Sequence, residues 1–297
     1  MDFKQIEAFV NVVKHKSFSK AADAMFFTQP TISAHISSLE TELNTKLLNR
    51  RGRSVELTKS GNQFYKYAVE LMNIRENAFN SMAKSRGEVS GVLEIQASSI
   101  PGITFLPEMV AKFSKLYTNI KFYIDISDSD QVIENIQERQ SDIGFVGEKS
   151  SNSSFNYEKI LSDRVVVIAS KDSEIGEEDI TLKEISKHPL IWRESGSATR
   201  RSFEKAAMKK GVKKEDFDVV ASVNELEVVV RLVEEGLGIS ILSEESIKSI
   251  NPSGIKTINI KDFAEEREFY MIIPKDGTLS PIAKKFKEFI ISEINGK

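Results

Sequence analysis

The sequence predicts an α/β protein with a winged helix-turn-helix at its amino terminus, a long linker helix and a two-lobed α/β body. Three observations support this prediction. Apolar residues recur every three or four positions through the first 45 residues, and a short basic hairpin pattern follows them. A helical pattern without proline runs from residue 58 to about 86. From residue 92 onward, short apolar strands alternate with helical segments.

The composition excludes several kinds of protein. With 40% hydrophobic and 29% charged residues among 297, the chain has the composition of a folded globular protein of two or three domains. It contains no cysteine, which excludes a disulfide framework, a thiolate metal site and a cysteine nucleophile. Because His15, His35 and His188 show no metal-ligand spacing, we predict no metal and no cofactor. Neither a signal-peptide pattern nor an apolar run of about 18 residues occurs, so we expect a cytoplasmic protein.

Charge is distributed unevenly along the chain. Residues 1–86 contain 13 Lys and Arg against 8 Asp and Glu, a net charge of +5. The remaining 211 residues contain 28 against 36, a net charge of −8. A basic front on an acidic body indicates that a polyanion partner binds at the amino-terminal end.

The first 45 residues predict three helices. Apolar residues at helical spacing over residues 3–13 predict the first, and Ser17 or Ser19 is suited to cap a short second helix. Thr28 is suited to be the N-cap of a third helix, and Pro30 fits its first turn because the N–H that proline lacks is unpaired there anyway. Apolar residues of this third helix share one face, and the polar residues lie largely off it.

Two short helices, a tight turn and a third helix with a polar start describe a helix-turn-helix, whose second helix enters the DNA major groove amino terminus first. Hydroxyl and amide side chains there can reach base edges and phosphates. The alternative is a three-helix structural cap with a solvated polar face, and periodicity alone does not separate the two. The candidate DNA-contacting residues of these helices are Ser19, Thr28, Gln29, Pro30, Thr31, Ser33, His35 and Ser37.

The next segment favours the DNA-binding interpretation. Arg50, Arg51 and Arg53 surround Gly52, and apolar residues alternate with polar ones beyond them. This pattern predicts a tight basic hairpin, or wing, beside the third helix. Because a wing can reach phosphates or the narrow minor groove, we predict that all three arginines contact DNA.

One set of residues in a run of about 45 matches a known pattern: Ala21, Ala22, Gln29, Pro30, Ser33, Ile36, Leu39, Glu40, Leu43, Leu47, Arg50, Leu57, Thr58 and Gly61. With these residues the run resembles the amino-terminal domain of LysR-type transcriptional regulators. The resemblance implies a DNA-binding winged helix-turn-helix. At Asn44 and Leu48 the family usually carries glycine and phenylalanine, and the third helix is less basic than usual at Ala34, Ser37 and Ser38.

The long helical pattern predicts a linker helix that also dimerises. Small and apolar residues recur by threes and fours, as in a coiled-coil seam. A core helix of a globular domain would show the same pattern, but the position between a basic module and an acidic body favours a linker, as does the resemblance. Gly87 and Gly91 mark a hinge. The predicted seam comprises Gly61, Phe64, Ala68, Leu71, Arg75, Ala78 and Met82, widened by Tyr65, Met72 and Phe79.

The body is expected to have largely parallel strands and two lobes. The strand pattern at residues 164–170 looks like a crossover into a second lobe, and that at 267–274 like the crossover back. The LysR effector domain, which is similar to periplasmic binding proteins, has this arrangement. We therefore expect a DNA-binding domain at 1–58, a linker and hinge at 59–90 and an effector-binding domain at 91–297, with lobe I at about 91–162 and 268–297 and lobe II at about 163–267.

Two lobes joined by two strands leave a cleft in which helix amino termini offer free N–H groups to a ligand. Two hydroxyl-rich strand-to-helix turns are suited to this cleft. Hydroxyls, turn amides and a nearby cation make an anion-binding site, although helix capping would explain each turn taken singly. The candidates in these turns are Ser98, Ser99, Ser195, Ser197, Thr199 and Arg200.

Both turns resemble those of the LysR branch tied to sulfur and selenium metabolism, of the CysL type. In relatives that control sulfur assimilation, the residues matching Ser98 and Ile100 help to hold a small oxyanion, but Ile100 lacks a hydroxyl. By their position in that branch, Ser129 and Gly147 are further cleft candidates. The resemblance implies a small, anionic effector and control of sulfur or selenium metabolism genes.

Two alternatives remain open: a two-domain α/β enzyme, and a cytoplasmic solute-binding protein, each with a structural helical cap. The chain has no phosphate-loop or dinucleotide-binding motif and no pattern for a Ser–His–Asp triad, so we predict no catalytic residues. The basic wing and the polar start of the third helix argue against both alternatives. The expected partners are double-stranded DNA, a small effector and further copies of the chain in a homodimer or homotetramer, with no membrane.

Overall fold

The computed structural model describes residues 1–51, 54–82, 91–150, 154–176, 178–263 and 266–296. Among these residues, no helix is long and apolar enough to cross a membrane. Three positions that the sequence analysis singled out lie outside the described residues: Gly52, Arg53 and Gly87. Three predicted side chains also lie outside them, those of Arg50, Arg51 and Met82.

Side-chain caps set the starts of the amino-terminal helices. Asp2 and Gln5 form a capping box on the first helix, and Ser17 accepts a hydrogen bond from a backbone N–H of the second. Thr28 caps the third helix, which confirms that prediction. The elements are α1 (Phe3–His15), α2 (Phe18–Met25), α3 (Gln29–Glu42), the antiparallel hairpin of β1 (Leu48–Arg51) and β2 (Ser54–Leu57), and α4 (Lys59–Met82).

One hydrophobic core holds α1, α2 and α3 against the amino-terminal half of α4. The Phe9 ring lies 5.4 Å from the Phe64 ring and 6.1 Å from the Tyr65 ring, and Ala68 is fully buried. The predicted dimer seam is therefore covered by the chain's own helices over its first turns. Pattern alone could not reveal this, because a helix face that packs on its own domain and one that packs on a partner have the same apolar spacing.

The body contains two five-stranded sheets with helices around them. The first sheet has the order β4-β3-β5-β12-β6 and comprises β3 (Gly91–Ser98), β4 (Ile120–Ser127), β5 (Ile143–Val146), β6 (Phe155–Asp163) and β12 (Arg267–Pro274). The second has the order β11-β7-β10-β8-β9 and comprises β7 (Val165–Ser170), β8 (Leu190–Arg193), β9 (Val219–Val223), β10 (Ile239–Ser243) and β11 (Ile255–Ile258). The helices are α5 (Ser99–Thr104), α6 (Leu106–Leu116), α7 (Ser129–Gln137), α8 (Leu182–Ile185), α9 (Ala198–Lys209), α10 (Leu226–Glu234), α11 (Glu244–Ile250) and α12 (Pro281–Asn295), with a short 3₁₀ turn at Lys214–Asp216.

Each sheet is mixed rather than largely parallel, which corrects the expectation. In the first sheet β3 pairs in parallel with β4 and β5, whereas β12 pairs antiparallel with β5 and β6. The second sheet has the same division, with β7 antiparallel to β10 and β11. The antiparallel pairs are formed by β7 and β12, the strands that the chain enters directly after it passes from one sheet to the other. Antiparallel pairing does not require the helical crossover that joins parallel strands. The sequence pattern does not predict β6 or β11.

Polar contacts join α4 and α1 to the first lobe. The side-chain amides of Asn73 and Asn77 donate hydrogen bonds to the backbone carbonyls of Thr278 and Leu279, over 2.8 and 3.0 Å. Lys14 Nζ at the end of α1 lies 2.6 Å from a carboxylate oxygen of Glu94 on β3. The amino-terminal domain and the linker helix are thus attached to the lobe that contains β3.

Candidate functional site

The amino-terminal half of α3 presents polar side chains away from the core. Ile32, Ile36 and Leu39 are fully buried against α1 and α2, and this fixes the orientation of the helix. Gln29 and Ser37 are exposed, as are Ser19, Thr28 and Pro30 nearby. Thr31, Ser33 and His35 are half-buried, and the His35 ring contacts the Phe27 ring with centroids 6.0 Å apart. All eight helical candidates for DNA contact are thus at or partly at the surface.

The carboxylate of Glu40 positions the wing relative to α3. It is buried and accepts hydrogen bonds from the backbone N–H groups of Leu47 and Leu48, over 2.9 and 3.2 Å, and from Lys46 Nζ over 2.6 Å. Burial raises the pKa of Glu40, but these hydrogen bonds outweigh burial and hold its pKa below the ordinary value. The backbone of the hairpin is therefore tied to the end of the helix by one charged side chain.

Gly61 lets α4 approach the wing closely. A methyl group at this position would lie 1.9 Å from the carbonyl oxygen of Leu47. Thr58 caps the start of α4 by accepting a hydrogen bond from the Gly61 N–H over 2.9 Å, and its hydroxyl donates to the Lys46 carbonyl over 2.6 Å. Direct contacts therefore join the start of the hairpin to the start of α4.

A cleft of about 250 Å³, including its open mouth, lies between the two lobes. Both hydroxyl-rich turns contribute to it. Ser98 ends β3, and Ser197 caps α9 by accepting a hydrogen bond from the Arg200 N–H. Seven predicted effector-site residues line the cleft: Ser98, Ser99, Ile100, Ser129, Gly147, Ser197 and Thr199.

Two predicted effector-site residues are not among the cleft-lining residues. Ser195 is exposed. The Arg200 guanidinium lies 5.2 Å from the centre of the Trp192 ring, donates to Glu204 over 2.8 Å and donates to the carbonyl of Arg193 over 2.9 Å. These contacts hold the Arg200 side chain against its own lobe and away from the cleft. Arg200 lies in the first turn of α9, and a helical side chain leans toward the amino terminus of its helix, which here directs it toward β8.

Sequence reasoning missed six lining residues, of which Arg267 is the most informative. Arg267 begins β12, is 5% exposed, and donates to Thr199 Oγ1 over 2.7 Å and to the Gly147 carbonyl over 3.3 Å. No carboxylate lies within 4 Å of its guanidinium in the described part of the chain. Burial lowers the pKa of Arg267 to about 10, so the group is charged at neutral pH. The other missed residues are Asp128, Arg193, Glu194, Ala198 and Phe269.

A signal for Arg267 was present in the sequence. The segment REFYMIIP places an arginine at the start of an apolar strand that crosses between lobes, where a buried charge requires a partner. The second buried arginine, Arg193, differs because it has a carboxylate partner. Its Nε and Nη2 each donate to Glu194 over 2.9 Å, and Nη2 also lies 3.3 Å from Ser99 Oγ.

Ion pairs connect the lobes beside the cleft. Arg201 on α9 contacts Asp130 on α7 over 2.8 Å and Glu148 after β5 over 2.5 Å. Gly196 lies against the carboxylate of Asp128, and a methyl at Gly196 would be 2.3 Å from that carboxyl carbon. The structure therefore has the two lobes in direct contact around the cleft.

Comparisons with known protein families match both parts of the chain. Residues 3–62 match the model described as "Bacterial regulatory helix-turn-helix protein, lysR family", and residues 86–295 match "LysR substrate binding domain". An uncharacterized HTH-type transcriptional regulator of Methanocaldococcus jannaschii is 33% identical over 96% of both chains. The HTH-type transcriptional regulator CysL of Bacillus subtilis is 27% identical, over 92% of this chain and 91% of its own.

Solved structures share the fold over most of the chain. A full-length OxyR from Pseudomonas aeruginosa superposes with a TM-score of 0.79 at 15% identity, covering 99% of this chain and 95% of that one. The regulatory domain of Synechocystis CcmR, solved in complex with 2-PG, has a TM-score of 0.63 at 22% identity, covering 69% of this chain and 98% of that one. The likeness confirms the predicted fold class of a helix-turn-helix followed by a two-lobed α/β domain.

Proposed function

This chain belongs to the LysR family of bacterial transcriptional regulators, since the two family models together span nearly its whole length, and we propose that a small anion bound in its cleft controls its affinity for DNA. Its relatives are named transcriptional regulators, so the enzyme alternative is wrong. Members of the family bind DNA and small-molecule effectors and form oligomers. For this chain we retain the domain bounds expected from the sequence and a cytoplasmic location.

The DNA-contacting surface is proposed to be the exposed start of α3 together with the wing. Gln29 and Ser33 lie where amide and hydroxyl groups can read base edges, and the wing arginines Arg50, Arg51 and Arg53 are assigned to phosphates or the minor groove. Arginine contacts to phosphate carry affinity but little sequence preference. Specificity is therefore expected to reside in α3.

Replacing Gln29 with alanine is expected to weaken binding to the preferred upstream fragment by about 1–3 kcal/mol and to leave binding to random DNA nearly unchanged. The reason is that the amide contacts bases and not the backbone. Gel shifts on the chain's own upstream DNA and on a shuffled fragment measure both quantities. Gln63→Ala, which removes an exposed glutamine of α4, is the matched control. If the unaltered protein itself shows no preference between the two fragments, sequence-specific binding is disproved.

One observation carries the proposal of an anionic effector: Arg267 is a buried cation in the cleft that has no carboxylate within 4 Å among the described residues, and Asp163 and Glu148 act on its charge only from a greater distance. Burying an unpaired charge is costly unless a ligand of opposite charge completes the site. Hydroxyls of Ser98, Ser99 and Thr199 surround the same space. The CcmR regulatory domain, which has this fold, was solved with the small molecule 2-PG.

Control of sulfur or selenium metabolism genes is the finer part of the proposal. Its support is the similarity to CysL at 27% identity and the serines that line the cleft. Binding of the protein to fragments upstream of sulfur- and selenium-assimilation genes, compared with unrelated upstream fragments, tests it. Equal affinity for both sets would remove this part and leave the regulator assignment intact.

The dimer contact is proposed to use the exposed face of α4. Tyr67 and Ile74 are seven residues apart and therefore share one face; they are 59% and 48% exposed, whereas another face of the helix packs on its own domain. An apolar stripe of this kind is stable when a second copy covers it. A symmetric dimer also matches two DNA half-sites. A movement of the lobes that shifts the paired α4 helices would change the distance between the two DNA-binding domains.

Replacing Ile74 with aspartate is expected to convert the oligomer to monomers at micromolar concentration and to abolish high-affinity DNA binding, because a charge would be placed in the apolar contact. Light scattering measures the first effect and gel shift the second. The body should keep its circular dichroism spectrum and melting temperature. Asn62→Asp, which adds the same charge to the same helix on another face, is the control, and dissociation by both variants would argue against this seam.

A further inference from the structure

The charged side chains that line the cleft balance one another. Two are arginines, Arg193 and Arg267, and two are carboxylates, Asp128 and Glu194. Arg193 and Glu194 neutralise each other through two hydrogen bonds of 2.9 Å. Arg267 and Asp128 form no ion pair within 4 Å among the described residues, although the carboxylates of Asp163 and Glu148 act on the Arg267 charge from a greater distance.

Asp128 has one carboxylate oxygen that accepts no hydrogen bond from the described residues. Its Oδ1 accepts from the Gln131 N–H over 2.9 Å and so caps α7, whereas Oδ2 has no donor. No lysine or arginine of the described chain lies within 4 Å of this carboxylate. The side chain is half-buried at the rim of the cleft, against Gly196 of the opposite lobe. A half-buried carboxylate in this position favours a ligand that brings a hydrogen-bond donor or a positive charge.

Asp128 and Arg267 line the same cleft, and Ser129 and Gly147 connect them. Ser129 follows Asp128 directly, and its Oγ accepts a hydrogen bond from the Gly147 N–H over 3.3 Å. The carbonyl of the same Gly147 accepts from Arg267 over 3.3 Å. A plain oxyanion bound on Arg267 would therefore share the cleft with the negative charge of Asp128, and like charges repel. A molecule with a carboxylate at one end and an ammonium group at the other satisfies both side chains.

The cleft is also small. The space within it is about 250 Å³ even with the open mouth included, which favours a small ligand. We propose that the effector is a small zwitterion of the α-amino-acid type, with its carboxylate on Arg267 and its ammonium group on Asp128. This ligand class rests on the proposed role of the cleft as the effector site.

A comparison of amino acids with their deaminated analogues tests the ligand class. The full-length protein is screened by thermal shift against the twenty standard L-amino acids, and the one with the largest shift is compared by calorimetry with the carboxylic acid that lacks its α-amino group, as L-alanine is with propionate. We expect at least one amino acid to stabilise the protein and its deaminated analogue to bind about tenfold more weakly or worse, because Asp128 would lose its partner.

The variant Asp128→Asn isolates the contribution of the charge. Asparagine caps helices as well as aspartate does, so α7 should remain intact. In this variant the preference for the amino acid over its deaminated analogue should fall to less than about threefold, since the charge-assisted hydrogen bond is lost. Asp125→Asn, an exposed position on β4 outside the cleft, should keep the full preference.

Any one of three results would overturn the proposal of a zwitterionic effector. These are that no amino acid stabilises the protein, that the deaminated analogue binds equally well, or that Asp128→Asn leaves the preference for the amino acid over its analogue unchanged. Sulfate separates this failure from failure of the proposed function. If sulfate stabilises the unaltered protein and not Arg267→Gln, the anion site stands and only the ammonium contact is wrong. If neither sulfate nor any carboxylate stabilises the unaltered protein, the anionic effector itself is wrong.

Discussion

Replacing Glu40 with alanine is expected to abolish DNA binding without touching any residue that faces DNA. The substitution leaves the buried N–H groups of Leu47 and Leu48 without an acceptor, and each such group costs about 1–3 kcal/mol. The hairpin would then lose its fixed position beside α3. Gel shift should show loss of binding to the preferred upstream fragment. The amino-terminal domain should unfold at a lower temperature than the body.

Two comparisons separate this effect from a general loss of acidic charge. Glu7→Ala removes a carboxylate of α1 that makes no hydrogen bond or ion pair within the described residues, and it should change DNA affinity little. Glu40→Gln retains one oxygen acceptor and should be intermediate. Unchanged DNA binding in Glu40→Ala would contradict the role given to this side chain.

The same carboxylate makes the stability of the domain depend on pH. Because the pKa of Glu40 is lower in the folded chain than its ordinary value of 4.5, its contribution is complete above that pH. The contribution is lost as pH falls through the lowered, folded-state pKa. Thermal unfolding between pH 6 and about pH 3 should therefore show an acid-dependent loss in the unaltered domain that is smaller in Glu40→Gln.

Replacing Arg267 with glutamine is expected to eliminate the response to every anionic effector while the protein remains folded. The variant removes the one arginine that lines the cleft without a carboxylate within 4 Å among the described residues, and loss of such a charge contact costs about 2–5 kcal/mol of binding free energy. Thermal shift or calorimetry with sulfate, thiosulfate, sulfite, selenite and O-acetylserine measures the response. DNA binding without effector should persist, because the side chain lies in the cleft on β12 and α3 belongs to a separate core.

Arg164→Gln is the matched control for this variant. Arg164 has the same charge, lies between β6 and β7 and is largely exposed, so its loss should leave the response unchanged. A response that survives in Arg267→Gln, or a neutral apolar ligand that occupies the cleft, would contradict the anion site. Loss of DNA binding in Arg267→Gln would show that the residue supports the fold more than the ligand.

Local sequence patterns were sufficient for the amino-terminal domain and for half of the cleft. The caps at Thr28 and Ser197 depend on hydrogen bonds within three residues, and the polar start of α3 depends on helical periodicity, so short windows contain this information. The serines of the two strand-to-helix turns were found in the same way. Their roles in binding are predictions that the experiments above test.

The tertiary structure alone decided which charges meet in the cleft and which face of α4 is free. Arg267 contacts Gly147 from 120 positions away, and no window of sequence records such an approach. The sequence predicted Arg200 as an effector-site residue, but its side chain contacts Trp192 and Glu204 instead. The orientation of a long side chain depends on the residues that pack around it, and the position in the sequence does not determine it. Likewise, helical spacing shows that α4 has apolar residues, but only the position of α1 determines that Ala68 is covered and Ile74 is exposed.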